Sequence, residues 1–338
     1  MYRDIHRKLS QDMAFYIVRR ILFAIITLFL VSIIAFVIIQ LPPGDASAVR
    51  LQVLQTAGVQ VSPEQIEQIR EDFGLDKPLY QQYFIWMGKM FQGDFGESFY
   101  YNTDVSEILK ERIPYSLMLA FFSIIFIYIV STIAGVISAL KQHSALDYSI
   151  GLISFFGLSI PEFLFALVLM FMFFKFFGIS IGGFYSLEFK NAAWSFARLW
   201  DLIKHIWAPI IVIGAASTAF TIRVLRASML DELRKPYVQV ARSKGIPEAR
   251  IIFKYPLRVA LNPIISTVGY VLPTVISGEM IVAYVMGLPT LGPALLNGAL
   301  TQDMYLVGAI VMILSALTVF GTLISDLLLI FTDPRIRY

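Results

Sequence analysis

The sequence has 338 residues, of which 57% are hydrophobic and only 15% are charged, whereas a soluble domain carries about 25% charged residues. This balance excludes an ordinary soluble domain and favours a membrane protein, and the formal net charge of +3 gives no indication of a nucleic-acid partner. The chain contains no cysteine, which excludes disulfides, thiol catalysis and cysteine-based metal sites.

Six apolar segments are long enough to cross a bilayer, because a hydrocarbon core of about 30 Å requires about 20 helical residues. We therefore predict an all-α integral membrane protein with six transmembrane helices. Three of the segments are less regular, since the third carries Glu162, the fourth is short and the fifth contains Pro263 and Pro273. The predicted spans lie at 21–41, 115–140, 148–174, 205–225, 261–286 and 304–330.

Residues 42–112, between the first two spans, contain two helix signals. Ser62, Pro63 and Gln65 form a capping pattern for a helix that ends at Gly74, and PLYQQYFIWMGKMFQ predicts a second short amphipathic helix. The sequence therefore predicts four regions along the chain. They are the N-terminus with the first span at 1–41, an extracytoplasmic helical region at 42–112, a five-helix transmembrane domain at 113–331 and a tail at 332–338.

Lysine and arginine are concentrated in the segments that would lie on one side of the membrane. These segments are the N-terminus, the turn with Lys141, an insert at about 226–260 between spans four and five, and the tail with Arg335 and Arg337. Because short cytoplasmic loops carry the excess of basic residues, both termini and the insert are predicted to be cytoplasmic.

Motifs for catalysis are absent from the sequence. There is no G-x-x-x-x-G-K-[ST] phosphate loop, no H-E-x-x-H and no G-x-S-x-G, so the chain is predicted to be no enzyme and to hold no cofactor or metal. Glu162 and Glu279 lie inside predicted spans, where a carboxylate costs about 2.5 to 3.5 kcal/mol. Each is a candidate for a polar substrate path, and each could equally be protonated and bonded to a neighbouring helix.

The insert predicts two short helices. Pro236 suits the first position of a helix, Gly245 suits a left-handed C-terminal cap, and Pro247 starts a second helix. Between the first two, the i, i+3, i+4, i+7 spacing places four residues on one largely apolar face: Tyr237, Val240, Ala241 and Lys244. The periodicity is compatible with an interfacial helix on anionic lipid and with a docking helix for a cytoplasmic partner.

Several stretches carry a resemblance to a known family. They include RRILFAIITLFLVSIIAFVIIQLPPGD at 19–45, FGLDKPLYQQYFIWMGKMFQGDFGESF at 73–99, LRASMLDELRKPYVQVARSKG at 225–245 and GLPTLGPALLNGAL at 287–300. Their order and spacing resemble the membrane permease subunits of ABC importers that depend on a substrate-binding protein, in the peptide (dipeptide and oligopeptide) branch. The resemblance covers nearly the whole chain.

The resemblance implies a function, partners and a location. The insert would be the family's EAA loop, and its short helix would be a coupling helix that sits in a groove of an ATPase subunit. The implied partners are a second homologous permease, two cytoplasmic ATPase subunits that hold ATP and Mg, and an extracytoplasmic substrate-binding protein. The implied location is the cytoplasmic (inner) membrane. The implied ATPase-coupling residues are Tyr237, Val240, Ala241, Lys244 and Gly245.

One position departs from the general importer pattern. The E-A-A positions, counted back from Gly245, read Gln239, Val240 and Ala241, so the leading carboxylate is missing. The neutral Gln239 supplies no charge for an ion pair to the ATPase, so apolar packing and the glycine turn are expected to contribute more to docking.

The predicted function is thus the permease subunit of an ATP-driven importer of di- or oligopeptides. Nickel complexes and oligosaccharides are alternative cargoes within the same branch. A secondary transporter driven by an ion gradient is the alternative from another class. It would favour inverted repeats and broken helices near the membrane centre, and no repeat divides this sequence into matched halves.

Overall fold

Helices account for almost all regular structure in the part of the chain that the structure describes. The computed structural model describes the backbone of residues 2–40 and 77–332. Two short strands in this part of the chain, β1 (Glu97–Ser98) and β2 (Thr103–Asp104), pair antiparallel. The helices are α1 Tyr2–Gln40, α2 Leu79–Phe91, α3 Val105–Leu140, α4 Ala145–Ser159, α5 Glu162–Phe177, α6 Phe196–Leu233, α7 Pro236–Ser243, α8 Glu248–Lys254, α9 Pro256–Ala260, α10 Asn262–Val285, α11 Leu291–Leu300 and α12 Met304–Thr332. The predicted all-α class is confirmed.

Four helices in the described part of the chain are long and apolar enough to cross a membrane. They are Ile17–Gln40, Val105–Leu140, Phe196–Leu233 and Met304–Ile324. The number becomes five if α4 and α5 are counted as one bent span. Helix α10 covers the predicted fifth span, and the total of six spans stays a prediction.

The predicted third span is a bent pair of helices. Helix α4 ends at Ser159, Ile160 is extended with φ −91° and ψ 125°, and α5 begins at Glu162 after a bend of 110°. Pro161 explains the break, because proline lacks an N–H to donate and disfavours a helical conformation in the residue before it. The bend places Glu162 in the first turn of a new helix.

Helix α6 is considerably longer than the span predicted at 205–225. Its 38 residues extend for about 57 Å, well beyond a hydrocarbon core of about 30 Å. Ser195 caps its start, since the Ser195 side chain accepts a hydrogen bond from the backbone N–H of Arg198. The same helix therefore contains an apolar span and continues to Leu233, three residues before the insert helix α7.

The described contacts form two units, and one of them is built mainly from residues 117–288. Small residues allow its helices to approach closely, as is common in membrane proteins. A Cβ atom added at Gly157 of α4 would lie 3.3 Å from the carbonyl oxygen of Ala215 on α6. One added at Gly135 of α3 would lie 3.0 Å from Leu225 of α6. Helices α3 and α4 are thus both held tightly against α6.

The other unit takes residues 18–40, 77–116 and 289–319 of the described chain. The second predicted short helix is present as α2, whose Trp86 packs on Phe36 of α1 at a ring distance of 5.8 Å. The first, predicted from 62 to 74, lies outside the described residues. The segment between the predicted spans at 261–286 and 304–330 contains the ten-residue helix α11.

A buried carboxylate organises part of this second unit. Asp303 is completely buried just before α12. Its Oδ2 accepts hydrogen bonds from Ser98 Oγ at 2.5 Å and from the Tyr100 backbone N–H at 3.1 Å. Its Oδ1 accepts from the Leu306 backbone N–H at 3.4 Å. One side chain therefore holds the β1–β2 turn against the first turn of α12.

Candidate coupling surface and substrate path

The predicted insert helix is present as α7. Pro236 occupies its first turn and follows Lys235, which is extended with φ −68° and ψ 147°. This is the arrangement expected for proline, whose fixed φ suits the start of a helix and whose missing N–H is not needed there. The local sequence thus determines where α7 begins.

Gly245 ends α7 in a complete left-handed cap. Its φ is +70°, as predicted from the sequence. The Gly245 N–H donates to the Arg242 carbonyl at 2.9 Å, and the Ile246 N–H donates to the Ala241 carbonyl at 3.4 Å. These two bonds define the Schellman motif. A Cβ added at Gly245 would meet no heavy atom within 4 Å, so the requirement for glycine is one of backbone conformation rather than of space.

One part of the predicted apolar face of α7 packs against the rest of the chain, and the other part is exposed. Ala241 is buried together with Val238 and with Ile251 of α8. Tyr237 and Val240 are 38% and 51% exposed, and Lys244 is exposed as well. Of the four residues on the predicted face, Tyr237, Val240 and Lys244 are therefore exposed and Ala241 is buried. Val238 was not predicted, because helical spacing does not tell which face the rest of the chain covers.

Tyr237 is held in place by contacts within the insert. Its hydroxyl donates a hydrogen bond to Glu232 Oε2, and its ring lies 6.5 Å from that of Tyr255. Burial, followed by the hydrogen bond and charge of Glu232, raises the pKa of Tyr237 to about 12. The phenol is therefore neutral at physiological pH, and its half-exposed ring is presented in a fixed orientation.

Helix α8 connects α7 to the long helices α3 and α6. Ile251 belongs to the cluster beneath α7, whereas the next residue, Ile252, belongs to a second cluster with Leu225 and Met229 of α6. Ala139 of α3 packs in this second cluster too. Two adjacent side chains of α8 thus contact α7 on one side and the ends of α3 and α6 on the other.

One of the basic residues of the insert is neutralised within it. Arg242 Nη2 and Nε donate to the two carboxylate oxygens of Glu248 at 2.6 Å and 3.1 Å. The hydrogen bond from Arg242 lowers the pKa of Glu248, so the pair persists at neutral pH and weakens only as pH falls through that lowered pKa. Both side chains are exposed, so the pair contributes little stability. It also leaves one fewer free cation for binding anionic lipid.

Glu162 lies at the edge of an apolar cavity that Glu279 does not line. The cavity, of about 370 Å³, lies among α3, α4, α5 and α6, and Ser154 and Thr218 add two hydroxyl groups to its wall. Within the part of the chain that the structure describes, neither hydroxyl has a hydrogen-bond partner. These two hydroxyls and the Glu162 carboxyl group are the polar groups that could hold a ligand there.

Glu162 and Glu279 both lie where α5 packs against α10. A Cβ added at Gly278 of α10 would be 3.2 Å from Glu162 Oε2, so the Glu162 carboxylate rests against α10. Glu279, the next residue of α10, is completely buried. Among the side chains that the structure describes, no group of three His, Cys, Asp or Glu residues could hold a metal ion. The predictions did not include Ser154 or Thr218, which carry no sequence signal in an apolar helix.

The fold defines a multi-pass helical membrane protein, with a short capped helix attached to its longest internal helix. The chain belongs to the family of binding-protein-dependent transport system inner membrane components. A family model of that description matches residues 131–338, and the model of the N-terminal part of these components matches residues 13–120.

Relatives of similar length are known in several bacteria. The oligopeptide transport system permease protein AppB of Bacillus subtilis is 36% identical over 327 residues, which are 96% of this chain and 100% of the relative. The oligopeptide permease OppB of Haemophilus influenzae is 32% identical, covering 96% of this chain and 99% of the relative. The dipeptide permease DppB of Lactococcus lactis is 28% identical, with coverage of 95% and 99%.

Proposed function

We propose that the chain is the permease subunit of an ATP-driven, binding-protein-dependent importer of di- or oligopeptides. The observation that carries the proposal is the surface of α7. Its half-exposed Tyr237 and Val240 are held outward by a capped helix that α8 links to the membrane helices. The names of the relatives, oligopeptide and dipeptide permeases, support a peptide cargo.

In the proposed mechanism, this chain and a second homologous permease enclose a path that opens alternately to the two sides of the membrane. Two cytoplasmic ATPase subunits, which hold ATP and Mg, bind at α7 and drive the alternation. A substrate-binding protein delivers the peptide from the other side. The insert and both termini are cytoplasmic in this arrangement, which the distribution of lysine and arginine supports.

Replacing Tyr237 with alanine is expected to weaken ATPase binding. Burying an aromatic side chain against a partner stabilises a complex by roughly 1.5 to 3 kcal/mol, so affinity should fall about 10- to 150-fold. The measurement is co-purification of the two ATPase subunits with the permease, together with the amount of permease in the membrane, which should not change.

The matched control for this experiment is Lys244→Gln on the same exposed surface. A helix that binds anionic lipid would lose affinity when a cation is removed, and ATPase retention would not depend on Tyr237. A docking helix should tolerate Lys244→Gln much better than Tyr237→Ala. Full ATPase retention by Tyr237→Ala would show that this surface does not dock the ATPase.

Glu162 is proposed to face the substrate path, and Glu162→Gln is expected to lower peptide uptake. Glutamine keeps the shape of the side chain but removes its ionisable carboxyl group from the cavity wall, where Ser154 and Thr218 provide the other polar groups. We expect uptake of labelled trialanine to fall about 10-fold, equivalent to about 1.4 kcal/mol, with ATPase retention unchanged. Glu188→Gln, on an exposed carboxylate between α5 and α6, is the control. Equal uptake by both variants would exclude Glu162 from the path.

A further inference from the structure

An ion pair with a buried carboxylate joins α4 to α6 at the start of the insert. Arg226 of α6 donates from Nε to Asp147 Oδ1 at 2.8 Å and from Nη2 to Oδ2 at 2.7 Å. The Asp147 side chain is only 6% exposed and that of Arg226 is 32% exposed. A two-bond contact of this kind fixes the relative orientation of its partners as well as their distance.

Asp147 also binds two other segments of the chain. Ser138 Oγ of α3 donates to Asp147 Oδ1 at 2.5 Å, and the His143 backbone N–H in the turn before α4 donates to Oδ2 at 3.0 Å. Ser144 caps α4 by accepting the Asp147 backbone N–H at 3.3 Å. One carboxylate therefore holds the end of α3, the turn, the start of α4 and α6 together.

The position of this pair along α6 connects the insert to the bend. Arg226 lies seven residues before the end of α6, a distance of about 10 Å, and α7 follows directly. Leu225 and Met229, on either side of Arg226, are completely buried against α3 and α8, so this end of α6 is firmly packed. Helix α4 leads from Asp147 to the 110° bend before Glu162. A displacement of α7 would therefore act on the end of α6 close to Arg226, which is bonded to Asp147 of α4.

We propose that the Asp147–Arg226 pair is a positioning device for transport, which makes α4 and the bend move together with α6 when an ATPase displaces α7. This inference rests on the proposed coupling function of α7. A buried ion pair adds little net stability compared with an apolar contact, so stability alone does not account for it. Its two directional bonds prevent α4 from sliding along α6, which an apolar contact would allow.

The test removes both charges at once, since removing one would leave the other buried and unpaired. The variant is Asp147→Asn combined with Arg226→Met. Arg226→Lys is the second variant, because it keeps the charge but loses the planar two-bond geometry. Arg223→Met is the matched control, which removes an exposed arginine from the same helix. Each is prepared as the complex with its ATPase subunits.

The readout is the distance across the bend. Because the chain has no cysteine, spin labels can be attached at Ile153→Cys in α4 and Phe174→Cys in α5, both of which are exposed. Pulsed electron paramagnetic resonance then gives their separation with and without a non-hydrolysable ATP analogue. In the parent complex and in Arg223→Met, we expect the nucleotide to shift this distance by about 2 Å. In both pair variants, we expect the shift to be lost while ATPase retention stays normal.

Each outcome decides the inference. A nucleotide-dependent shift that persists in either pair variant would overturn it, and so would the absence of a shift in the parent complex that retains its ATPases. Failure of the unmodified chain to retain ATPases would instead contradict the proposed function on which the inference depends. If the neutral double variant does not accumulate, Arg226→Lys alone provides the same comparison.

Discussion

Gly245→Val is expected to abolish coupling while leaving the protein in the membrane. Gly245 has a φ of +70° and forms the Schellman cap of α7. A residue with a Cβ atom loses roughly 1 to 2 kcal/mol in this conformation, and a β-branched one is a genuine outlier there. Valine should therefore break the two capping bonds, fray the last turn of α7 and move Val240 and Lys244 from their places. We expect peptide uptake to fall about 10-fold or more, measured with labelled trialanine.

A matched substitution separates conformation from size. Asparagine is larger than alanine yet adopts the left-handed conformation more readily than other residues with a side chain. Since a Cβ atom at Gly245 would meet no heavy atom within 4 Å, Gly245→Asn should retain most uptake. If asparagine were as harmful as valine, the position would be sensitive to volume at the ATPase surface rather than to φ. Normal uptake by Gly245→Val would contradict the coupling role of the cap.

The cap of α7 could be predicted from the sequence because its determinants are local. Pro236 and Gly245 each act through their own backbone conformation, and α7 begins and ends where these two residues predicted. The orientation of α7 could not be predicted in this way. Both Tyr237 and Val238 are apolar, and only the position of Ile251, from another helix, determines that Val238 is the buried one.

The interactions that the sequence did not reveal connect distant residues. The sequence marks Arg226 only as a basic residue at the start of the insert predicted at about 226–260, and its partner Asp147 lies 79 positions earlier. Asp303 and Ser98 are separated by 205 positions. A single polar residue near the end of an apolar segment has no periodicity, so its partner is determined by the packing of the helices. The third span was predicted as one helix at 148–174, whereas the structure breaks it at Pro161 with a bend of 110° whose size depends on the packing of α4 and α5.

Asp303→Ala is expected to destabilise the unit formed by residues 18–40, 77–116 and 289–319. Asp303 is completely buried, and its carboxylate accepts hydrogen bonds from Ser98, Tyr100 and Leu306. Alanine would leave these donors without an acceptor, and each buried donor left unsatisfied costs about 1 to 3 kcal/mol. Partial rearrangement should reduce the sum, so we expect a loss of about 2 to 4 kcal/mol. It should be measured as a lower unfolding temperature of the purified chain in detergent.

Asp94→Ala is the control, because Asp94 also accepts a backbone hydrogen bond, from Gly96 at 3.0 Å, but is exposed. Water can replace its carboxylate, so its removal should change stability by no more than about 0.5 kcal/mol. Asp303→Asn should fall between the two, since its single carbonyl oxygen can still accept a hydrogen bond from Ser98 or Tyr100. From highest to lowest, the expected order of unfolding temperatures is therefore Asp94→Ala, Asp303→Asn and Asp303→Ala. Equal temperatures for the two alanine variants would show that the buried carboxylate does not hold the β1–β2 turn to α12.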